Sequence, residues 1–415
     1  MKLINYIKMQ NHTTLGQCLI LIFFLPYLTQ ADTLSVLHLT EIIEEAKMNN
    51  PEIKAAKAYY EAAQLRTSVL RNIMDPMFSI ENAGEVRMYS ITQQLPFPTK
   101  LTTLSNFARI ESEEYESKYN KKEQDVINKV KRSYAGLFLV HKKIETIEES
   151  ISFLNQLFHI ASHNYSIGKV SQVDVLRAQV ELAKAENDLL TLIDKRKIAE
   201  VRLNTLLNRD VDSKLGIPEE IDTSEITLDI DKLYELTREN QPELKAFNQM
   251  FKKAKVMVSI AKQTYLPDFM FKFTQQEMDN SFTDRKFMVG LTIPLWFWGK
   301  QNDIIREMNA NLKMAEMQYN AILNKVLLAV KESKINLDNY RREQALYKNS
   351  IIPQADASLK SALIAYGANQ TDFLSVLESE RILIQFELEF YSAKTDFFIA
   401  LADLEKAVGI NLVKN

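Results

Sequence analysis

Glycine and proline are scarce in this chain, with 9 and 10 among 415 residues. So few breakers leave little room for frequent turns and imply long uninterrupted helices. Cysteine is nearly absent. The single Cys18 lies in the N-terminal segment discussed below, so the mature chain has no disulfide, thiolate metal site or cysteine nucleophile. Charge of one sign is not in excess. A formal net charge of -3, with 25% charged residues, gives no reason to expect a nucleic acid partner. Beyond the N-terminus no segment approaches 18 continuous apolar residues, so any membrane entry must use β-strands. No phosphate-binding loop is present, which argues against nucleotide hydrolysis by the chain itself.

What is present begins with a targeting segment. Lys2 and Lys8 make a positive region, Leu19 to Leu25 an apolar run, and Thr29-Gln30-Ala31 a small-residue cleavage site before Asp32. Residues 1–31 therefore read as a secretory signal peptide. An uncleaved anchor helix is the alternative, although the run is short for a bilayer. Leu15-Gly16-Gln17-Cys18 superficially matches a lipoprotein box, but here the apolar run follows the cysteine instead of preceding it.

The rest of the chain repeats itself. Asn50-Pro51-Glu52-Ile53-Lys54-Ala55 returns 191 positions later as Gln241-Pro242-Glu243-Leu244-Lys245-Ala246. Pro76-Met77-Phe78 matches Pro267-Asp268-Phe269 at the same offset, and Lys100 matches Lys300 at offset 200. Tyr165, Val173, Leu176 and Leu203 match Tyr366, Leu374, Leu377 and Leu404 at offset 201. A tandem duplication follows, with repeats over 32–208 and 231–415 joined by a linker over 209–230. Each repeat predicts a helix from Pro51 or Pro242, where proline suits the first turn. A short hairpin comes next (77–94 and 268–294). A very long helix then begins near Lys100 or Lys300, turns near Tyr165 or Tyr366, and returns to about Leu207 or Val408. Pro353 falls inside the second long helix and predicts a kink there.

The first long helix carries a heptad without a slip. Leu137, Ile144, Ile151, Phe158 and Tyr165 hold one position, and Val140, Ile147, Leu154 and Ala161 the other. Strict seven-residue spacing favours left-handed coiled-coil packing. From Lys100 to His163 such a helix is about 96 Å long, and it needs partners along that length. The return helix is one, its apolar pattern including Leu176, Ala183 and Leu190. A free-standing coiled-coil rod fits the helices equally well.

The hairpins alternate with period two. Phe269, Phe271 and Phe273 alternate with Met270, Lys272 and Thr274; Phe287, Val289, Leu291 and Ile293 alternate with Met288, Gly290 and Thr292. Phe78 and Ile80, then Tyr89 and Ile91, do the same in the first copy. One apolar face per strand is the pattern of a lipid-facing barrel. Trp296-Phe297-Trp298 at a strand end suits a membrane interface. Hairpins packed on a helical core are the alternative. Four strands cannot close a membrane barrel, so membrane strands would have to be pooled among copies.

Two copies of helix, hairpin, long helix, tip turn and return helix resemble the plan of the TolC family of outer-membrane efflux channels, over nearly the whole mature chain. Tyr165-Ser166-Ile167-Gly168 followed by Val173-Asp174-Val175-Leu176 is similar to the family's periplasmic tip turn. Tyr366 followed by Phe373-Leu374-Ser375-Val376-Leu377-Glu378 is similar to its second copy, and Ile293-Pro294-Leu295 with Gly299-Lys300 to its strand-to-helix junction. Asp75-Pro76-Met77 and Gln94-Leu95-Pro96-Phe97-Pro98-Thr99-Lys100 look like the CzcC-type heavy-metal efflux branch.

The resemblance implies a mainly α fold with a small β part. Duplicated long-helix hairpins form an α-barrel, and each of three protomers gives four strands to a shared 12-stranded outer-membrane β-barrel. It implies a homotrimer in outer-membrane lipid with helices in the periplasm, a periplasmic adaptor (membrane fusion) protein and an inner-membrane pump of the RND type. It implies no enzyme activity, no cofactor and no bound metal. The expected function is a passive exit duct for small solutes or metal ions. The alternatives are a type I secretion exit channel and a periplasmic coiled-coil adaptor or scaffold.

The resemblance places a gate at the periplasmic tip, on Tyr165, Gly168, Asp174, Tyr366, Thr371, Ser375 and Glu378. Asp174 and Glu378 would ring the constriction and favour cations; the bland reading of each is a helix cap or a solvated first-turn charge. Tyr165 and Tyr366 are candidates for coiled-coil packing as much as for gating. The chain departs from the family pattern at Asn369, which stands where the first tip has Gly168, and at Thr371, which replaces a basic residue. His159 and His163 lie at i and i+4 on one helix face, but two ligands without a third are weak evidence for a metal.

Overall fold

A computed structural model describes residues 36–221, 229–295, 297–368 and 370–412. The signal-peptide reading of 1–31, Trp296, the Phe297 side chain and Asn369 lie outside the described residues. A two-residue strand β1 (Val36–Leu37) leads into α1 (Leu39–Asn49) and α2 (Pro51–Arg71). The first hairpin is β2 (Met77–Ala83) and β3 (Val86–Leu95). Then come α3 (Pro98–Ser166), α4 (Gln172–Leu207) and the short strand β4 (Ile217–Pro218), which pairs in parallel with β1. The second copy runs α5 (Ile230–Asn240), α6 (Pro242–Gln263), β5 (Asp268–Met278), β6 (Ser281–Thr292), α7 (Asn302–Leu346), α8 (Ile352–Gly367) and α9 (Phe373–Val408).

The repeated Asn-Pro-Glu and Gln-Pro-Glu motifs do the same job twice. Asn50 Oδ1 accepts from the Glu52 N–H at 2.9 Å and caps α2, while its Nδ2 donates to the Leu206 carbonyl at 2.8 Å. Gln241 Oε1 accepts from the Glu243 N–H at 2.9 Å and caps α6, while its Nε2 donates to the Lys406 carbonyl at 3.0 Å. Each side chain satisfies an orphan helix donor and ties the new helix to the end of its own return helix. Both return helices end on a left-handed residue, Asn208 (φ 56°) and Gly409 (φ 93°). At Gly409 a Cβ would sit 2.8 Å from Gln241 Cα, so only glycine fits.

The long helix α3 spans 69 residues, about 104 Å at 1.5 Å per residue. Its heptad holds in part: Leu137, Ile144, Ile147, Leu154 and Ala161 are buried, Val140, Ile151 and Phe158 half-buried, and Tyr165 exposed. Tyr134, Phe138, Val126 and Val130 add a second buried stripe, because α3 packs against α2, α6 and α9 as well as α4. The pattern predicted for the return helix is corrected. Leu176, Ala183 and Leu190 are exposed on α4, and its inward positions are Ala178 and Ala185. Small residues let α4 approach α3 closely, which leaves its larger apolar side chains on the outer face. Pro353 sits in the first turn of α8, and the break falls just before it, as a π-helical turn over Tyr347–Ile351. A wider turn absorbs the hydrogen bond that proline cannot donate.

The hairpins join into one four-stranded antiparallel sheet of order β2-β3-β5-β6. Its rows alternate in chemistry. Phe78, Ile91, Phe273 and Phe287 form one register row, and Ser79, Ser90, Thr274 and Lys286 the next. Ile91 is 50% exposed and Phe287 82% exposed, whereas Ser90 and Thr92 are 5% and 6% exposed on the other face. Shelter of the polar face is thus confined to the central strands, since Met77 of β2 and Met288 of β6 on that face are exposed, while the apolar face is open on all four strands. No described helix is long and apolar enough to cross a membrane.

Candidate functional site

Two chain reversals, α3 to α4 and α8 to α9, form the tip. At the first, the Gly168 N–H donates to the Tyr165 carbonyl at 2.9 Å and the Lys169 N–H to the Asn164 carbonyl at 2.9 Å, with Gly168 at φ +74°. This is a Schellman stop, which satisfies carbonyls the helix end leaves open. At the second, the Gln370 N–H donates to the Ala365 carbonyl at 2.8 Å, the corresponding bond. The bond that closes the reversal around Gly168 in one copy thus has its counterpart in the other.

The helix starts that follow use one device with its partners exchanged. In the first copy Ser171 is the N-cap, and both its N–H and Oγ reach Asp174 Oδ2 at 3.3 Å. In the second copy Asp372 is the N-cap, and its Oδ1 accepts from the Ser375 N–H at 3.0 Å and Oγ at 2.6 Å. Offset 201 maps Ser171 onto Asp372 and Asp174 onto Ser375. Sequence reading singled out Asp174 and Ser375 and missed Asp372, which the offset could have found. Hydrogen bonds from Ser375, helped by Arg177 nearby, hold the Asp372 carboxyl below its ordinary range.

Behind the turns lies a small core of Leu154, Leu157, Ala161, Ala178, Phe373 and Val376. Tyr366 packs on it, edge-on to Phe373 at 5.8 Å between ring centroids. Burial raises the Tyr366 phenol above its ordinary range, with Asn164 and Asp174 beside it acting in opposite directions. Tyr165, the pseudo-equivalent residue, is exposed. Thr371 is half-buried.

Glu378 is paired. Arg381 Nη1 donates to it at 3.2 Å while Nη2 reaches Glu181 Oε1 at 2.7 Å, so Arg381 bridges α4 and α9 across the two repeats. These groups line an open groove of about 340 Å³ with Val173, Leu176, Arg177, Val180, Leu374 and Leu377. Arg381 was also missed, since nothing in its local sequence sets it apart from a surface charge. Deeper along α9, Glu380 is 7% exposed and accepts a short hydrogen bond from Ser150. Burial pushes its carboxyl above the ordinary range.

At the other end of the helices, Asp268 clamps the strand-to-helix junction. Its Oδ1 accepts from Lys100 Nζ at 2.8 Å and from the Phe97 N–H at 3.0 Å, and Lys100 also donates to the Leu266 carbonyl at 2.9 Å. Trp298 lies at the corresponding junction of β6, within the π-helical turn Phe297–Gln301, and is exposed. Among the described residues no three His, Cys, Asp or Glu side chains converge as a metal site.

The outer membrane efflux protein family matches this chain twice, over residues 42–209 and 233–410. The chain belongs to the outer membrane efflux protein family. It is an outer-membrane efflux channel of TolC type, with its helices extending into the periplasm. Cobalt-zinc-cadmium resistance protein CzcC of Cupriavidus metallidurans is 19% identical over 289 residues, 69% of this chain and 68% of that one. Outer membrane protein TolC of Vibrio cholerae is 19% identical over 401 residues, 90% of each chain. A crystal structure of CusC, described for its transmembrane channel formation, shares the fold with a TM-score of 0.79 at 14% identity over 90% of this chain and 92% of that one. The exposed apolar face of this channel's sheet is its lipid-facing surface, since in hydrocarbon that face costs nothing while in water it would be a large apolar patch. The opposite, polar face then lines the lumen.

Proposed function

We propose that three copies of this chain form the passive exit duct of a tripartite efflux system, fed at the periplasmic tip by an adaptor protein and an inner-membrane pump. The observation that carries the assembly is the open sheet. Strands β2 and β6 each leave one edge without a partner within the described chain. In hydrocarbon every unpaired backbone group costs several kcal/mol, roughly, so the edges must meet those of other copies. The exposed apolar side chains of α4, among them Leu176, Val180, Leu190 and Ile198, need cover for a different reason, because they would otherwise form an apolar patch in water.

In this reading Tyr165, Gly168, Asp174, Tyr366, Thr371, Ser375 and Glu378 form the gate, and the Arg381 bridge between α4 and α9 holds it. The cargo is a small solute or a metal ion, in keeping with the resemblance to CzcC. Cross-linking of the chain in outer-membrane fractions tests the assembly. A dominant trimer supports the shared barrel; a soluble monomer or dimer overturns it. Alanine at both Asp174 and Glu378 should alter cation selectivity or cation block, and unchanged conductance would remove the carboxylate ring from the reading.

A further inference from the structure

Methionine is distributed unevenly over the two faces of the sheet. Five of the chain's 14 methionines, Met77, Met88, Met270, Met278 and Met288, stand on the strands. All five share the polar face with Ser79, Ser90, Thr92, Lys272 and Thr274, and none stands on the apolar face. A lipid-facing surface accepts methionine readily, so apolarity alone does not explain its confinement to the wet side. The register also groups them. Met88 faces Gln276 across β3 and β5, which sets it diagonally next to Met278. Met270 faces Gly290 across β5 and β6, which sets it diagonally next to Met288. Diagonal neighbours are roughly 7–8 Å apart at Cα, within reach of long side chains. The Met270 chain already leans toward β6, because its Cε lies only 2.9 Å from where a Cβ on Gly290 would be.

We propose that these methionines form a thioether site in the barrel lumen that binds soft monovalent cations, of the copper(I) and silver(I) class, as they leave the duct. The proposal rests on the reading of the polar face as the lumen. The thioether is a neutral, polarisable ligand, and soft metals are the ones that select it over water; zinc and cobalt prefer imidazole or carboxylate. Charge beside Met270 and Met288 points the same way. Lys272 stands in the register row of Met77 and Met288, and Lys286 two residues before Met288, while Glu81 and Asp284 share the row of Met88. Repulsion from the two lysines scales with the charge of the visitor, so at the Met270 and Met288 pair a divalent ion meets twice the penalty of a monovalent one. A weak site suits an exit path, since a cation must enter it and still leave. The Met88 and Met278 pair near the hairpin turns and the Met270 and Met288 pair near the helices give two stations along the lumen.

The test is titration of the detergent-solubilised, assembled chain with silver nitrate, followed by calorimetry and by metal analysis after desalting. The comparison is a variant with Met77, Met88, Met270, Met278 and Met288 all changed to leucine, a swap that keeps side-chain volume. Wild type should take up silver, the variant should lose at least tenfold in affinity or most of the stoichiometry, and zinc should be taken up by neither. M88L/M278L and M270L/M288L should each lose part of the uptake, which keeps the test open should the fivefold variant not assemble. Equal silver uptake by wild type and the variants, or zinc uptake matching silver, overturns the site. Assembly is read on the same samples by cross-linking: a wild-type trimer without silver binding sinks the site and leaves the duct, whereas a wild type that forms no trimer sinks the duct itself.

Discussion

The two return helices have the same length and pseudo-equivalent positions, yet they live in different surroundings. Both α4 and α9 span 36 residues, but α9 buries most of its lower half and α4 little beyond Ala178, Ala185 and its last turn. The difference is written in single residues. Phe397, Phe398 and Leu401 of α9 stand at offset 201 from Arg196, Lys197 and Glu200 of α4. The helix α9 packs between α3 and α7, with α5 over its end, while α4 has α3 and a short stretch of α1. Duplication therefore preserved the backbone plan and divided the labour, one helix holding the protomer together and the other presenting an apolar outer surface.

The sharpest test of that division is a pair of alanines. Phe397→Ala should destabilise the fold by about 3–5 kcal/mol, because Phe397 is 2% exposed within a continuous core. Arg196→Ala at the matching position should cost no more than ~0.5 kcal/mol. Chemical denaturation of the two variants measures both, and equal losses would break the comparison. The helix ends should differ next. Gly409→Ala meets both a left-handed backbone and the nearby Gln241 main chain, and should cost about 1–3 kcal/mol. Asn208→Ala meets the backbone term alone and should cost less, near the lower end of the same ~1–3 kcal/mol range.

Acid should also separate the copies. Glu380 is buried and titrates above its ordinary range, whereas offset 201 puts the exposed Gln179 in the first copy. The folded state holds the Glu380 proton more tightly than the unfolded chain does. Its contribution therefore turns unfavourable as pH rises from the ordinary carboxylate range through the folded value. Glu380→Gln should raise the Tm at pH 8, and the gain should vanish by pH 4. A gain independent of pH would mean that Ser150, Glu181 and Arg381 around it, and not its ionisation, set the effect. The smallest effect belongs to Arg381. Its bridge is half exposed, so Arg381→Ala should cost no more than about 1 kcal/mol in stability. In bilayer recordings the same variant should nonetheless raise the time spent open, if the bridge restrains the tip.

Much of the architecture was legible in the chain. Proline and glycine scarcity, the offsets of 191 to 201 and period-two alternation located the helices, both hairpins and both tips within a few residues. These are local signals, and local backbone preference is what writes them. The gate candidates were located as positions without their roles. Asp174 and Ser375 hold the same third position of their helices with the acceptor and donor roles exchanged, which the sequence could show only through the offset that also exposes Asp372. Leu176, Ala183 and Leu190 were read as an inward stripe because periodicity reports that a face is apolar and not which neighbour covers it.

By itself, then, the sequence determined the duplication, the helix and strand spans, the alternation of faces and the membership implied by their order. All of these depend on residues near one another in the chain, or on the chain compared with itself. Only the tertiary structure decided that Arg381 joins α4 to α9, that Asp268 locks Lys100 at the junction, that Glu380 is buried against Ser150, and that the strand methionines fall in diagonal pairs on the polar face of the sheet. Each of those needs residues from distant segments brought to one place. Packing and strand register fix such encounters, and no local preference along the chain encodes them.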